Sequence, residues 1–341
     1  MQSGKNVRVT LASRPVGFPK VSDFNVEEVP ISEPGEGEIL IKASWLSLDP
    51  YMRARLDEAK GYAEPIQIGE VIIGAIVGEV VETRTPRFKI GDIIEGRLGW
   101  QSYAVSDGTD MQGSDLRKID PSLGPIQTSV GVLGMPAFTA YFGFLDVCEP
   151  VAGDTVVVSA ASGAVGQIVG QIAKIMGCHV VGTAGSDKKI DYVVDELGFD
   201  SGINYKTENL DQALLDHCPN GIDVYFDNVG GVLTDAVFKQ LNIGARVAIC
   251  GQISQYNLEK PELTPRNLWQ LIVSQAKVQG FLQGQFLNRH PEALIRVSNW
   301  IKEGKVKYKE DITVGLENSP AAFIGMLNGE NFGKTLVKIS E

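Results

Sequence analysis

The stretch Thr155-Val-Val-Val-Ser-Ala-Ala-Ser-Gly-Ala-Val-Gly166 narrows the possible folds more than any other part of the chain. Residues 155 to 160 form a short run of the kind a buried parallel strand needs, and Ala161, Gly163 and Gly166 fall at G-x-G-x-x-G spacing with alanine first. A helix is predicted at once behind the turn, because Val165, Ile168, Val169, Ile172, Ala173 and Met176 recur at three- and four-residue steps and Gly177 stands where a helix stops. Such a turn has a physical use. A small first residue permits a tight bend, Gly163 lets the backbone approach a pyrophosphate, and the helix start at Ala164, Val165 and Gly166 offers unpaired N–H groups to the anion. The bland alternative is a packing turn with no ligand, and the alternation of strand and helix around it argues against that.

A second strand, Cys178-His-Val-Val-Gly-Thr-Ala184, follows immediately, as a right-handed crossover requires. Enzymes that use NAD place an acidic residue about 20 residues beyond the glycines. Here the strand tip reads Ala184-Gly185-Ser186-Asp187-Lys188-Lys189. A small tip followed by a serine and two lysines suits a 2′-phosphate, which favours NADPH, while Asp187 keeps NAD open.

Around this centre the chain divides by character. Residues 7–12, 24–30, 39–45, 71–82 (broken by Gly74 and Gly78), 93–96 and 100–105 read as strands of an antiparallel β lobe. Within it Leu48-Asp-Pro-Tyr-Met-Arg53 cannot be a strand centre, since Pro50 lacks a donor. From Ser129 onward, a helix is expected near Pro136, and further strands at Gly221–Gly231, Ala245–Gly251 and Val278–Leu282 alternate with helices, so the second sheet should be parallel. Ligands collect at the carboxyl ends of such strands, where Asn228, Gly230, Gly251 and the loop to Tyr256 are expected to converge. The tail from Ile312 returns to short β and helix signals and is expected to rejoin the first lobe.

Composition sets the partners. The chain has 341 residues, 43% of them hydrophobic, enough for two domains, and a formal net charge of −11, which argues against nucleic acid or an anionic membrane and for a small molecule. Met1 to Asn6 is polar with no apolar stretch behind it, and no run reaches the roughly 18 apolar residues of a membrane span, so a cytoplasmic protein is expected. The cysteines at 148, 178, 218 and 250 and the histidines at 179, 217 and 290 show no metal-ligand spacing, so no metal site is expected.

With these segments laid out, the chain resembles the medium-chain dehydrogenase/reductase superfamily, within it the zinc-independent branch of alkenal/enone, prostaglandin (leukotriene B4) and curcumin reductases. The likeness spans almost the whole chain. It is carried by Asp49-Pro-Tyr-Met-Arg53, Met135-Pro-Ala-Phe-Thr-Ala-Tyr-Phe-Gly143, Ala160-Ala-Ser-Gly-Ala-Val-Gly166, Phe226-Asp-Asn-Val-Gly-Gly231, Cys250-Gly-Gln-Ile-Ser-Gln-Tyr-Asn257 and Asn331-Phe-Gly-Lys-Thr335. The resemblance implies a GroES-like β-rich catalytic domain from residues 1–127 and 301–341, a Rossmann domain over 128–300, NADPH as hydride donor and a homodimer. It implies that Lys189 and Tyr205 bind the 2′-phosphate end. Asn228, Cys250, Gly251, Ile253, Ser254, Phe281, Leu282, Gln283 and Asn331 would line the nicotinamide end. Tyr256 would lie nearest the substrate carbonyl, with Tyr51 and Tyr62 in the substrate pocket. The superfamily's zinc-ligand cysteine and Gly-His-Glu motif are absent.

The expected activity is therefore reduction of the carbon-carbon double bond of enals and enones. Hydride addition to the β-carbon builds charge on the carbonyl oxygen, which neutral hydrogen-bond donors can stabilise without zinc. Two alternatives remain: quinone reduction on the same scaffold, and a nucleotide-binding protein without catalysis. An NADPH-oxidation screen separates them.

Overall fold

The computed structural model describes residues 4–58, 61 and 63–339. The chain forms two compact units, Met1–Gly131 with Glu310–Glu341, and Val132–Lys309. The first is β-rich. Its central strand, Ile39–Ser47, buries Ile39, Ile41, Ala43 and Leu46 and pairs antiparallel with Ala75–Thr83, Tyr103–Ser106 and the returning strand Lys334–Lys338. The tail does rejoin the first lobe: Glu310–Val314 pairs in parallel with Lys334–Lys338. A separate hairpin joins Lys5–Leu11 to Phe24–Pro30.

Two details differ from the strand pattern read in the sequence. The strand expected from Trp100 starts at Tyr103, because the Trp100 backbone pairs elsewhere, its N–H with Ile72 O at 2.8 Å and its carbonyl with Val9 N–H at 2.9 Å, while its wholly buried ring stacks on Phe24 at 5.9 Å and meets Phe323 edge-on at 5.6 Å. The run expected from Val71 is a strand only from Ala75. The segment after Leu48 leaves the sheet as anticipated and forms a short helix, Tyr51–Arg55, entered through Pro50 at φ −57°, a value the proline ring imposes.

The second unit is a six-stranded, all-parallel sheet. Its strands lie in the spatial order Ser201–Asn204, His179–Ala184, Thr155–Val158, Ile222–Asp227, Leu241–Ile249, Lys277–Gly280. Counted along the chain this is 3-2-1-4-5-6, the order of a doubly wound dinucleotide fold, and it reverses between Thr155–Val158 and Ile222–Asp227. Both strands at that reversal are buried on each face, so their β-branched and aromatic runs are stabilised by burial on two sides. Val157, Val181, Ile203, Ile222, Tyr225 and Val247 form one core with Leu214, Leu233 and Val237 from the covering helices. The helix Gly166–Ile175 buries Ile168, Val169, Ile172 and Ala173 completely, the stripe predicted from spacing.

Candidate functional site

The strand Thr155–Val158 ends in the glycine turn. Gly163 N–H closes the bend onto Ala160 O at 2.9 Å, and Ala161 N–H reaches across to Thr183 O at 2.9 Å. Gly166 is forced by space: a Cβ there would lie 2.3 Å from Ala160 O. The bend also holds Ala160 at φ 48°, a left-handed conformation that costs a non-glycine residue about 1 to 3 kcal/mol. Among the described residues no backbone hydrogen bond takes up the N–H groups of Ala164, Val165 and Gly166. These are the first N–H groups of the helix, and Ala164 and Val165 are half-exposed. The cradle fits a pyrophosphate: unpaired donors, a positive dipole end and no side chain at Gly163.

At the next strand tip, Tyr205 N–H bonds Ala184 O at 3.2 Å, and its phenol packs over Gly185, where an added Cβ would meet Tyr205 Oη at 2.8 Å and Lys206 Cε at 3.1 Å. Burial pushes the Tyr205 phenol above its ordinary pKa. Lys189 is half-exposed on the helix Asp187–Asp191 that starts here. Asp187, the carboxylate that kept NAD open, accepts a hydrogen bond from Asn204 Nδ2 at 2.6 Å. Lys206 was not singled out in the sequence, although it follows Tyr205 directly.

The strands Ile222–Asp227 and Leu241–Ile249 end side by side, and their loops are stitched together. Cys250 and Gly251 donate backbone N–H groups to Asp227 O at 2.8 and 3.1 Å, Ile253 N–H to Asn228 O at 3.3 Å, and Ser254 Oγ to Val229 O at 2.6 Å. Asn228 is tied back to the glycine-turn strand: its N–H donates to Ser159 Oγ at 2.7 Å and its Nδ2 to Ser159 O at 2.7 Å. Tyr256, half-buried, folds over Gly251 so that its Oη accepts the Gln252 N–H at 3.2 Å. With that acceptor role filled, the phenol proton remains available to donate. Burial raises the Tyr256 pKa, and the Gln252 N–H offsets part of the rise. Cys250 is pushed up to about 12 by burial, so it is a thiol at neutral pH.

Phe281 is buried edge-on against Phe226 at 6.1 Å, while Leu282 is half exposed. Gln283 carries a buried Oε1 with no partner among the described residues, an acceptor suited to a carboxamide N–H, and its main-chain oxygen meets His290 Nε2 at 3.2 Å. Asn331 and Tyr51 belong to the β-rich unit. Asn331 Nδ2 bonds Gly333 O at 3.0 Å ahead of the strand Lys334–Lys338, and Tyr51 opens the short helix. Tyr62 lies outside the described residues.

No group of three or more His, Cys, Asp and Glu side chains is placed to hold a metal ion among the described residues. The donor set does not fit zinc.

This parallel sheet with its glycine turn, accompanied by a β-rich unit, defines a dinucleotide-binding oxidoreductase of the medium-chain type. Residues 7–113 match the family described as the N-terminal domain of oxidoreductase, and residues 164–301 the family described as zinc-binding dehydrogenase. The chain is 42% identical to the NADPH-dependent curcumin reductase of Escherichia coli over 344 residues, covering 99% of this chain and 98% of that one. It is 44% identical to the 2-alkenal reductase (NADP(+)-dependent) of Nicotiana tabacum, covering 98% of each. The crystal structure of CurA in complex with NADPH from Vibrio vulnificus superposes with a TM-score of 0.93 at 43% identity, covering 98% of this chain and 99% of that one. The chain belongs to the medium-chain dehydrogenase/reductase superfamily, in the branch of the alkenal, curcumin and prostaglandin reductases.

Proposed function

We propose that this protein reduces the carbon-carbon double bond of α,β-unsaturated aldehydes and ketones with NADPH. NADPH supplies the hydride that reaches the β-carbon of the substrate. The turn Ala161–Gly166 holds the pyrophosphate, and Lys189 and Tyr205, joined by Lys206, hold the 2′-phosphate. Asn228, Cys250, Gly251, Ile253, Ser254, Phe281, Leu282 and Gln283 line the nicotinamide end. Tyr256 donates its phenol proton in a hydrogen bond to the carbonyl oxygen as charge builds there. The β-rich unit is the GroES-like catalytic lobe in this reading.

The observation that carries the reading is the filled acceptor on Tyr256. A phenol whose oxygen takes the Gln252 N–H, and whose pKa is raised by burial, stays a neutral donor through physiological pH. The names of relatives 42% and 44% identical over nearly the full length, a curcumin reductase and a 2-alkenal reductase, support the substrate class and cofactor. A screen of NADPH oxidation over enals, enones, quinones and aldehydes tests it. Turnover of enals and enones is expected, and turnover of quinones alone, or of none, overturns it.

Two further features belong to this reading. The protein acts as a homodimer through the helix Leu268–Ser274, whose Leu268, Trp269, Ile272 and Val273 are more than half exposed beside the edge strand Lys277–Gly280. It works in the cytoplasm, a compartment that suits four unpaired cysteines.

A further inference from the structure

We propose that Asp227 is a positioning residue whose carboxylate sets the geometry of Asn228 at the switch point of the sheet; this rests on the proposed reduction. Asp227 is completely buried, and its side chain is surrounded by donors. Oδ1 accepts from the backbone N–H groups of Val229 and Gly230, each at 2.9 Å, from Tyr225 Oη at 2.9 Å and from Ser159 Oγ at 3.3 Å. Oδ2 accepts from Thr234 Oγ1 at 2.7 Å. A carboxylate is the side chain that can accept all of these at once. Its main-chain oxygen takes the N–H groups of Cys250 and Gly251. Both loops at the carboxyl edge therefore hang from one residue.

The turn needs such a clamp. Gly230 and Gly231 follow Asn228 at φ 74° and 63°, conformations with little intrinsic preference to persist, and the helix Gly231–Phe238 has no side-chain cap of its own. Asp227 supplies the acceptor that the turn's N–H groups require and a negative charge at the helix start. Ser159 links the clamp to Asn228: its hydroxyl accepts the Asn228 N–H and points its proton between Asp227 Oδ1 and Phe226 O, each at 3.3 Å, so the carboxylate and the Asn228 backbone meet at one hydroxyl. Asp227 itself is wholly inaccessible. It acts through Asn228 and touches no ligand.

Asp227→Asn keeps the shape but halves the acceptor capacity and removes the charge. We expect kcat/KM with an enone to fall about tenfold or more, the scale of a weakened hydrogen bond to a charged group, with the folded circular dichroism retained. The deciding measurement is a double-mutant cycle with Asn228→Ala. If Asp227 acts through Asn228, Asp227→Asn costs less than about twofold in the Asn228→Ala background. Losses that multiply in the double variant overturn the proposal. Thr234→Val, which removes one donor from Oδ2, replaces Asp227→Asn in the cycle if the latter does not fold, with the same criterion. Should the wild-type protein reduce no enone, the proposed function fails instead, and the cycle is read on NADPH affinity by fluorescence titration, non-additivity supporting and additivity refuting the role of Asp227.

Discussion

Lys334 Nζ donates to Asp49 Oδ1 at 2.9 Å across 285 residues of sequence, inside the β-rich unit, with the two side chains 4% and 6% exposed. The same ammonium donates to Leu48 O at 2.6 Å, and Ser47 Oγ donates to the other carboxylate oxygen. Two of the motifs that carried the family resemblance, Asp49–Arg53 and Asn331–Thr335, are thus one buried contact. It fixes the bend that leads into Tyr51 to the strand on which the chain returns.

Breaking this pair from one side should be costly. Lys334→Met leaves a buried carboxylate without its cation, a change on the order of 3 to 5 kcal/mol, and Asp49→Asn added to it should recover part of the loss. Thermal unfolding of the two variants checks this. Equal melting of wild type and Lys334→Met contradicts it.

Cofactor choice is the second expectation. Lys189→Ala removes one charge-assisted contact to phosphate, about 1.5 to 3 kcal/mol, and should weaken NADPH about tenfold or more while leaving NADH nearly unchanged. Titration with both cofactors measures it, and equal losses for the two contradict the assignment. Asp187, at the same strand tip, accepts a hydrogen bond from Asn204 Nδ2.

The third concerns pH. The Tyr256 pKa is raised above the ordinary tyrosine value of about 10. A raised pKa means that the donating, neutral phenol persists to higher pH. The kcat/KM profile with an enone should be flat from neutrality up to about pH 10 and fall only above it. An alkaline limb centred below pH 9 on a Tyr256-dependent activity contradicts this.

The fourth tests the assembly. Trp269→Glu with Ile272→Glu places two charges on the exposed apolar helix face, and light scattering should then report half the wild-type mass. A wild-type monomer, or an unchanged dimer in the variant, contradicts the interface.

Much of this was readable in the sequence where local chemistry decides the structure. The run 155–158, the turn at 161–166 and the helical stripe at 168–173 are set by β-branching, glycine and periodicity, all local. Pro50 announced that the segment after Leu48 leaves the sheet, though not that it becomes a helix. The rest depends on partners distant in sequence. Ala160 gives no sign of a positive φ, because the approach of Gly166 to its carbonyl imposes it. Asp227 reads as one acidic residue in a glycine-rich motif until Ser159, 68 residues earlier, is beside it. Lys206 gains meaning only when Gly185 is packed against it. Trp100 reads as a strand residue, but its backbone pairs with Ile72 and Val9, partners distant in sequence.

The central claim is that the Tyr256 hydroxyl supports the developing charge on the substrate oxygen. Tyr256→Phe keeps the ring over Gly251 and deletes the donor. Steady-state kinetics with one enone, run beside an NADPH titration, measure it most directly. A single oxyanion donor contributes about 2.7 to 4 kcal/mol, and partial substitution by water or a ribose hydroxyl brings the predicted loss in kcat/KM to roughly 10- to 100-fold, with NADPH affinity altered far less. An unchanged kcat/KM, or a loss accounted for entirely by weaker NADPH binding, would contradict the account.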